Sequence, residues 1–198
     1  MRPFYFLCYN HFMQILYIIF MLILFGATVF ILFDIIFSMI MIRVPSLSSN
    51  KFVIKKIIDD PYFKDIFVQG KVLYDLGCGR GMALFALTKK FPVKSTGFEI
   101  NPAVLLYAKV KRLISGSKVR KNSKIKFGNF FKTDLSKADI IYLYLFPEIV
   151  EKLEEKIKKE CKTGTYIICN TFCFQNMEPI WTYFIAKGSL KNIYVYRI

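Results

Sequence analysis

The sequence predicts an α/β domain with a doubly wound, mostly parallel, seven-stranded sheet, preceded by one helix long enough to cross a membrane. Short apolar runs alternate with helical patterns from residue 72 to residue 170, which is typical of parallel strands joined by crossover helices. The last two runs, 180–186 and 192–198, flank a turn and predict a closing antiparallel hairpin. Residues 12–33 contain no charged side chain.

The N-terminal apolar segment determines the boundary between the predicted membrane anchor and the rest of the chain. Its 22 uncharged residues, 12–33, suffice to cross a hydrocarbon core of roughly 30 Å, and apolar residues resume after Asp34 and continue to residue 42. We therefore expect a transmembrane helix over about residues 12–42, within an anchor of residues 1–43; a buried core helix is the alternative. We expect Asp34 at the membrane interface rather than against a partner helix.

Basic residues flank this segment unequally. Arg2 precedes it, whereas Arg43, Lys51, Lys55 and further lysines follow it. The positive-inside rule therefore predicts a single-pass protein whose remaining residues, 44–198, lie on the cytoplasmic side, or on the matrix side in an organelle. A segment of about 150 residues has the usual size of one domain with one core.

The formal net charge of +15 favours an anionic partner, either lipid headgroups beside the membrane segment or nucleic acid. The chain is also rich in Lys, Ile, Phe, Asn and Tyr, so a genome-wide compositional bias explains the charge equally well. The five cysteines include no C-x-x-C pair, which is typical of a reducing compartment, and Cys169 and Cys173 have no further ligands for a metal. The only histidine, His11, precedes the domain and excludes Ser-His-Asp catalysis within it.

The elements of the domain follow from apolar spacing and turn residues. Ser49 or Asn50 is expected to cap a first helix that Pro61 breaks, and Asn101 and Pro102 are expected to start a later helix. The predicted helices cover about residues 52–58, 81–90, 101–114 and 147–161. The predicted strands cover residues 72–76, 95–99, 124–127, 139–145 and 165–170, before the hairpin.

The stretch Asp75-Leu-Gly-Cys-Gly-Arg-Gly81 joins the first strand to a helix and indicates a ligand site. Glycines allow a tight turn and close approach of a ligand, and the helix start presents unpaired N–H groups. A dinucleotide fingerprint would need a small residue where Met82 stands. Asp75 would repel a pyrophosphate but attract the ammonium and sulfonium of S-adenosylmethionine, which is therefore favoured over a dinucleotide.

Later positions complete the expected cofactor site. Glu99 ends the second strand, 24 residues after Asp75, where a carboxylate can accept both ribose hydroxyls. Asn129 follows the third strand and is expected to bind the adenine, with Phe130 or Phe131 stacking on the base; a loop Asn with two core aromatics is the alternative. The cofactor-binding candidates are Asp75, Gly77, Cys78, Gly79, Gly81, Glu99, Asn129 and Phe130.

The stretch 75–81 and Glu99 resemble the first two motifs of the class I, seven-β-strand methyltransferases, which have a Rossmann-like fold and use S-adenosylmethionine. Three further stretches make the resemblance more specific: residues 44–46, residues 97–102, and residues 130–136 together with 144–147. Together they are similar to the membrane-anchored protein-lysine methyltransferases of the ATP synthase c subunit and the adenine nucleotide translocase, and to their prokaryotic relatives. The resemblance implies a lysine of a membrane protein as substrate and the lipid bilayer as partner.

The fourth strand is followed by Leu145-Phe146-Pro147 rather than a D/N-P-P-Y motif, which counts against base amines and glutamine as substrates and against nucleic acid as partner. The catalytic candidates are Tyr144, Phe146 and Glu148. An apolar, aromatic mouth lowers the pKa of a substrate lysine by disfavouring its charged form. Glu148 either accepts the proton or, as we favour, is the first-turn acid of a helix. The alternative functions are a lipid or small-molecule methyltransferase and an inactive scaffold that binds the cofactor.

Overall fold

The computed structural model describes residues 2–37, 51–185 and 192–198. The predicted membrane exit, the predicted cap at Ser49 or Asn50, the last residues of the predicted membrane segment and the side chain of Asp34 lie outside that description. The chain divides into two units, Met1–Pro45 and Ser46–Ile198.

The first unit contains one long helix, α1 (Arg2–Phe37). Within it, His11–Phe33 is a stretch of 23 residues that is long and apolar enough to cross a membrane, by length and composition. The most apolar part of this stretch contains no buried residue. The helix has no acidic residue in its first turn and no basic residue in its last turn.

In the second unit, the strands and the predicted helices follow one another in the predicted order, and two short helices are additional. Its helices are α2 (Lys51–Asp59), α3 (Pro61–Ile66), α4 (Met82–Lys90), α5 (Pro102–Ile114), α6 (Ser117–Asn122) and α7 (Pro147–Glu160), of which α3 and α6 are the additional ones. Its strands are β1 (Val72–Leu76), β2 (Lys94–Glu99), β3 (Ser123–Phe127), β4 (Ile140–Leu143), β5 (Tyr166–Asn170), β6 (Trp181–Phe184) and β7 (Asn192–Arg197). A short 3₁₀ helix covers Phe130–Lys132.

The seven strands form one sheet in the order β3-β2-β1-β4-β5-β7-β6. Strands β1 to β5 are parallel, whereas β7 is antiparallel to both β5 and β6, which confirms the predicted mostly parallel sheet with a closing hairpin. The chain runs outward from β1 to β3 and then returns to β4 on the other side of β1. In such sheets ligands bind at the carboxyl ends of the strands where the order reverses, here between β1 and β4.

Strand β4 shows why the sheet is covered on both faces. Ile140 and Tyr142 are buried with residues of α2, α3 and α4 on one side, whereas Ile141 and Leu143 are buried with residues of α7 on the other. All four side chains are almost completely buried, because successive strand residues point to opposite faces and neither face meets water.

Three local features differ from the sequence prediction. Pro61 does end α2, but it also opens α3, because Asp60 caps that helix by accepting a bond of 2.9 Å from the N–H of Tyr62. Helix α6 was not predicted, since it is only six residues long. Strand β4 ends at Leu143 rather than at Leu145, so the residues from Tyr144 leave the sheet at its carboxyl edge.

Candidate cofactor and substrate site

The glycine-rich turn after β1 is bound to the neighbouring strand β2. The N–H groups of Gly77 and Cys78 both donate to the carbonyl of Phe98, each at 3.0 Å. Gly77, Gly79 and Gly81 have φ angles of +76°, +52° and +72°, a region that favours glycine. The turn therefore holds its shape only with glycine at these positions, directly beside the point where the strand order reverses.

Gly77 faces two loops that the topology brings to the same edge. A Cβ atom at this position would lie 2.8 Å from Cδ2 of Leu145 and 3.6 Å from Cε1 of Phe130. Leu145 follows β4 and Phe130 follows β3, so residues far apart in sequence converge on one backbone position. A glycine here lets the side chain of Leu145 pack directly against the main chain of the turn.

Glu99 fastens the end of β2 to the glycine-rich turn. Its Oε2 accepts from the N–H of Gly79 at 2.9 Å, and its Oε1 accepts from the N–H groups of Ile100 at 2.9 Å and Asn101 at 2.8 Å. Burial raises the pKa of the carboxyl group, while these N–H donors act in the opposite direction. A carboxylate has about four acceptor positions, so accepting two ribose hydroxyls requires Glu99 to share one of them with a backbone donor.

Asp75 is 3% exposed, and its Oδ2 accepts no hydrogen bond in the described part of the chain. Burial and then the charge of Glu99 raise its pKa to about 7, against a lowering by the N–H of Leu84. A buried acceptor without a partner is unfavourable. A cationic ligand with N–H donors would supply both the missing bond and the missing charge, so this residue fits the ammonium group of S-adenosylmethionine.

The thiol of Cys78 packs against β2 and α4. A Cβ atom on Gly97 of β2 would lie 2.6 Å from the Sγ atom of Cys78 and 2.9 Å from Leu84. Burial raises the pKa of this thiol well above its usual value. Any contribution of Cys78 to ligand binding therefore comes from its main chain, and its side chain fills the space that Gly97 leaves.

Asn129 and the two following phenylalanines form the loop after β3. The Oδ1 atom of Asn129 accepts from the N–H of Phe131 at 2.9 Å and caps the 3₁₀ helix. Its amide NH₂ is therefore the part with which it can bind an adenine. Phe130 is half-buried beside Gly77, whereas Phe131 is exposed, so Phe130 is the better placed of the two rings.

Two of the catalytic candidates, Tyr144 and Phe146, lie on the segment between β4 and α7, and the third, Glu148, lies at the start of α7. The ring of Phe146 stacks at 6.3 Å, with an angle of 19°, on Phe172, which follows β5. Tyr144 is half-buried, and Glu148 is exposed in the first turn of α7. No side chain among the described residues caps this helix start, so a negative charge at Glu148 is favourable there for the helix itself.

The end of β5 carries polar residues that sequence reasoning missed. Asn170 is buried and donates from Nδ2 to the hydroxyl of Tyr142 at 2.9 Å, and it accepts from the hydroxyl of Thr171 at 3.0 Å. Thr171 has a φ of +75°, which is rare for a β-branched residue, and such residues cluster at functional sites. The available signal was a polar Asn-Thr pair directly after a buried strand.

A doubly wound seven-stranded sheet, with a glycine-rich turn and two buried carboxyl groups at its reversal point, defines a class I methyltransferase that uses S-adenosylmethionine. The ANTKMT methyltransferase domain model matches residues 75–181, and the chain belongs to that family. The predicted family, enzyme class and cofactor are thereby confirmed.

Two curated relatives extend this assignment. The chain is 32% identical over 132 residues to a protein-lysine N-methyltransferase of Saccharolobus islandicus, covering 66% of this chain and 81% of that protein. It is 23% identical over 122 residues to a lysine N-methyltransferase of the ATP synthase C subunit from Xenopus laevis, covering 57% of this chain and 53% of that protein. The chain thus spans about half the length of the second relative.

A solved structure shows the same fold. It is an RNA methyltransferase from Salinibacter ruber in complex with S-adenosyl-L-homocysteine, with a TM-score of 0.68 and 24% identity. The match covers 77% of this chain and 94% of that one, so the two share a fold over nearly the whole length of that protein.

Proposed function

We propose that this protein is a membrane-anchored enzyme that transfers the methyl group of S-adenosylmethionine to the ε-amine of a lysine in a membrane protein. The observation that carries this proposal is the contact between Leu145 and Gly77, which sets an apolar segment directly against the glycine-rich turn. Family membership and the names of both relatives support a lysine substrate.

The cofactor would be held by residues of the first three strand ends. Asp75 would accept from its ammonium group, Glu99 would accept from its ribose, and Phe130 would pack against its base. The main chain of Gly77 and Gly79 would line the space between them. When bound, S-adenosylmethionine supplies an electrophilic methyl group on a positively charged sulfur.

The substrate amine would enter over the segment after β4. Tyr144, Leu145, Phe146 and Phe172 provide an apolar and aromatic mouth, which favours the neutral amine over the ammonium form and so lowers the pKa of a lysine from its reference value of about 10.4. The aromatic faces also hold a cationic amine as it arrives. Alignment of the amine with the methyl donor would then provide most of the rate acceleration.

The anchor would restrict the enzyme to substrates close to the bilayer. Helix α1 supplies a span of sufficient length and composition, and the basic residues that follow it, such as Lys51 and Lys55, favour the cytoplasmic or matrix side for the second unit. A lysine just outside the lipid is then within reach. Added protease should digest the second unit in inside-out vesicles and leave it intact in right-side-out vesicles.

The decisive experiment is incubation of membranes with the purified full-length protein and methyl-tritiated S-adenosylmethionine. We expect label in protein bands that yield methyllysine on hydrolysis, with Asp75→Asn inactive and the exposed Asp65→Asn fully active. Label confined to the lipid extract would instead assign a lipid substrate. Cofactor binding without any transfer would indicate a scaffold.

A further inference from the structure

Helix α5 is apolar on two opposite faces. Leu105 and Ala108 are buried towards the sheet, whereas the outward side carries five large side chains that are 52–80% exposed. Spacings of three, four and seven residues align these five in one stripe along the helix. We call this stripe the α5 face, and it consists of Leu106, Tyr107, Val110, Leu113 and Ile114. Contiguous exposed apolar surface of this kind usually marks an interaction site.

The chain around the α5 face is uniformly basic. Residues 100–133, which contain α5, α6 and β3, include nine Lys or Arg and no Asp or Glu. Residues 134–198 include nine Lys or Arg but eight Asp or Glu. A composition bias towards lysine raises the number of basic residues but does not remove acidic ones. It therefore does not explain a segment of 34 residues that has no Asp or Glu.

The structure leaves these positive charges uncompensated. None of the five ion pairs in the described ranges involves residues 100–133. Arg120 donates to the carbonyl of Leu113, and Lys118 donates to the carbonyl of Lys89, rather than to carboxylates. Burial, followed by the charges of Arg80 and Lys51, lowers the pKa of Lys111, so this lysine has cations rather than carboxylates as its main charged neighbours.

We propose that the α5 face docks on the surface of an anionic bilayer, with its apolar stripe among the acyl chains and the surrounding cations at the headgroups. This proposal rests on the membrane association in the proposed function and adds a second contact to it. An apolar helical stripe with cations beside it is the pattern of helices that lie in a membrane interface. A second copy of this chain is disfavoured as the occupant, because its α5 face would bring the same basic charge.

Docking of this kind would fix the orientation of the site. Helix α5 begins at Pro102, directly after its cap Asn101 and three residues after Glu99. A membrane contact along α5 would therefore hold a helix that begins close to Glu99, the predicted ribose-binding carboxylate. A membrane span alone, without this second contact, would not determine whether the mouth faces the bilayer.

The test is hydrogen–deuterium exchange of the full-length protein in lipid nanodiscs. Discs of phosphatidylcholine alone are compared with discs that also contain phosphatidylglycerol. We expect backbone amides of α5 to exchange several-fold more slowly in the anionic discs, whereas those of α7 exchange equally in both. High salt should remove the difference. Equal exchange of α5 in both discs would overturn the proposal.

A pair of variants matched in charge separates docking from general attraction. Val110→Glu with Leu113→Glu should abolish the protection of α5, whereas Lys152→Glu on the exposed side of α7 changes the charge equally and should preserve it. Both should bind S-adenosylhomocysteine normally, which verifies the fold. Protection that rises with protein concentration in neutral discs would assign the face to a second copy, and failure to enter any disc would contradict the anchor instead.

Discussion

The ionised carboxylate of Asp75 destabilises the ligand-free protein, because it is buried and its Oδ2 accepts no hydrogen bond in the described part of the chain. Its pKa of about 7 lies above the value of about 3.9 expected in the unfolded chain. The folded state therefore binds more protons than the unfolded state between these two values, and the free energy of unfolding falls as the pH rises through that window. In the proposed function, the ionised carboxylate is the form that accepts the positively charged ligand.

We predict that the affinity for S-adenosylmethionine rises with pH up to about 7 and then becomes constant. Below that pH a bound cation must displace the proton of Asp75, so affinity should fall by up to about tenfold per pH unit. Calorimetric titration between about pH 5.5 and 7.5 measures this dependence. An affinity that stays constant over that range would show that Asp75 does not face the cation.

Replacement of Asp75 by Asn should separate stability from binding. At pH 8 the ligand-free variant should be more stable by about 1–3 kcal/mol, because an ionised buried carboxylate is removed, and its affinity for the cofactor should fall by at least tenfold. Thermal unfolding in detergent, with and without cofactor, measures both effects. The Asp65→Asn variant should match the original protein in both measurements.

Gly77→Ala tests the close contact at the turn. Both Gly77 and Gly116 have positive φ angles, of +76° and +92°, so alanine at either position should cost about 1 kcal/mol of stability. Only at Gly77 would the new Cβ meet Leu145, at 2.8 Å, whereas no atom of the described residues lies within 4 Å at Gly116. Cofactor affinity should therefore fall in Gly77→Ala and stay unchanged in Gly116→Ala. Equal affinities would refute a role of this turn in binding.

Helix α7 begins directly after the residues of the proposed substrate mouth, and two roles of Glu148 can be distinguished at this position. The side chain is exposed in a first turn that no described side chain caps, in contact with the helix dipole. We predict that Glu148→Gln lowers the free energy of unfolding by about 0.3–1 kcal/mol and leaves kcat within about twofold. A large fall of kcat with a changed pH profile would make Glu148 the base instead.

The elements that sequence patterns predict well are those whose pattern is long or buried on both faces. Strand β5 and helix α7 have such patterns, and Asn101 was found as a cap because Pro102 follows it. Helix α6 was missed, since six residues give too few turns to show a period. Stretches of mixed polarity such as Phe130–Lys132 carry no period either.

Within the candidate site, residue order and spacing predicted positions that the fold brings to one edge of the sheet, but not the contacts of each side chain. The glycine-rich turn and Glu99 were evident from order and spacing alone. The thiol of Cys78, which packs against Gly97, could not be placed because that contact depends on the pairing of β1 with β2. The backbone of Thr171 could not be predicted either, because threonine rarely adopts a positive φ and its identity does not indicate one.

Charged substitutions in α1 test whether the first unit is the membrane anchor. We predict that Leu22→Arg with Leu24→Arg in α1 removes the protein from membranes washed with alkaline carbonate, because each charge near the middle of a span costs about 2.5–3.5 kcal/mol. The variant Leu22→Phe with Leu24→Phe should stay in the membrane. Retention of the Arg variant would mean that α1 is not the anchor.

The sheet has two edges of unequal chemistry in the part of the chain that the structure describes, and they predict how the protein aggregates. Strand β3 is one edge, and its exposed Lys124 and Lys126 oppose pairing with another molecule. Strand β6 is the other edge; it has no charge and ends at Phe184, which is 72% exposed. Intermolecular strand addition should therefore start at β6, and a lysine in place of Phe184 should raise the concentration at which the protein stays dispersed.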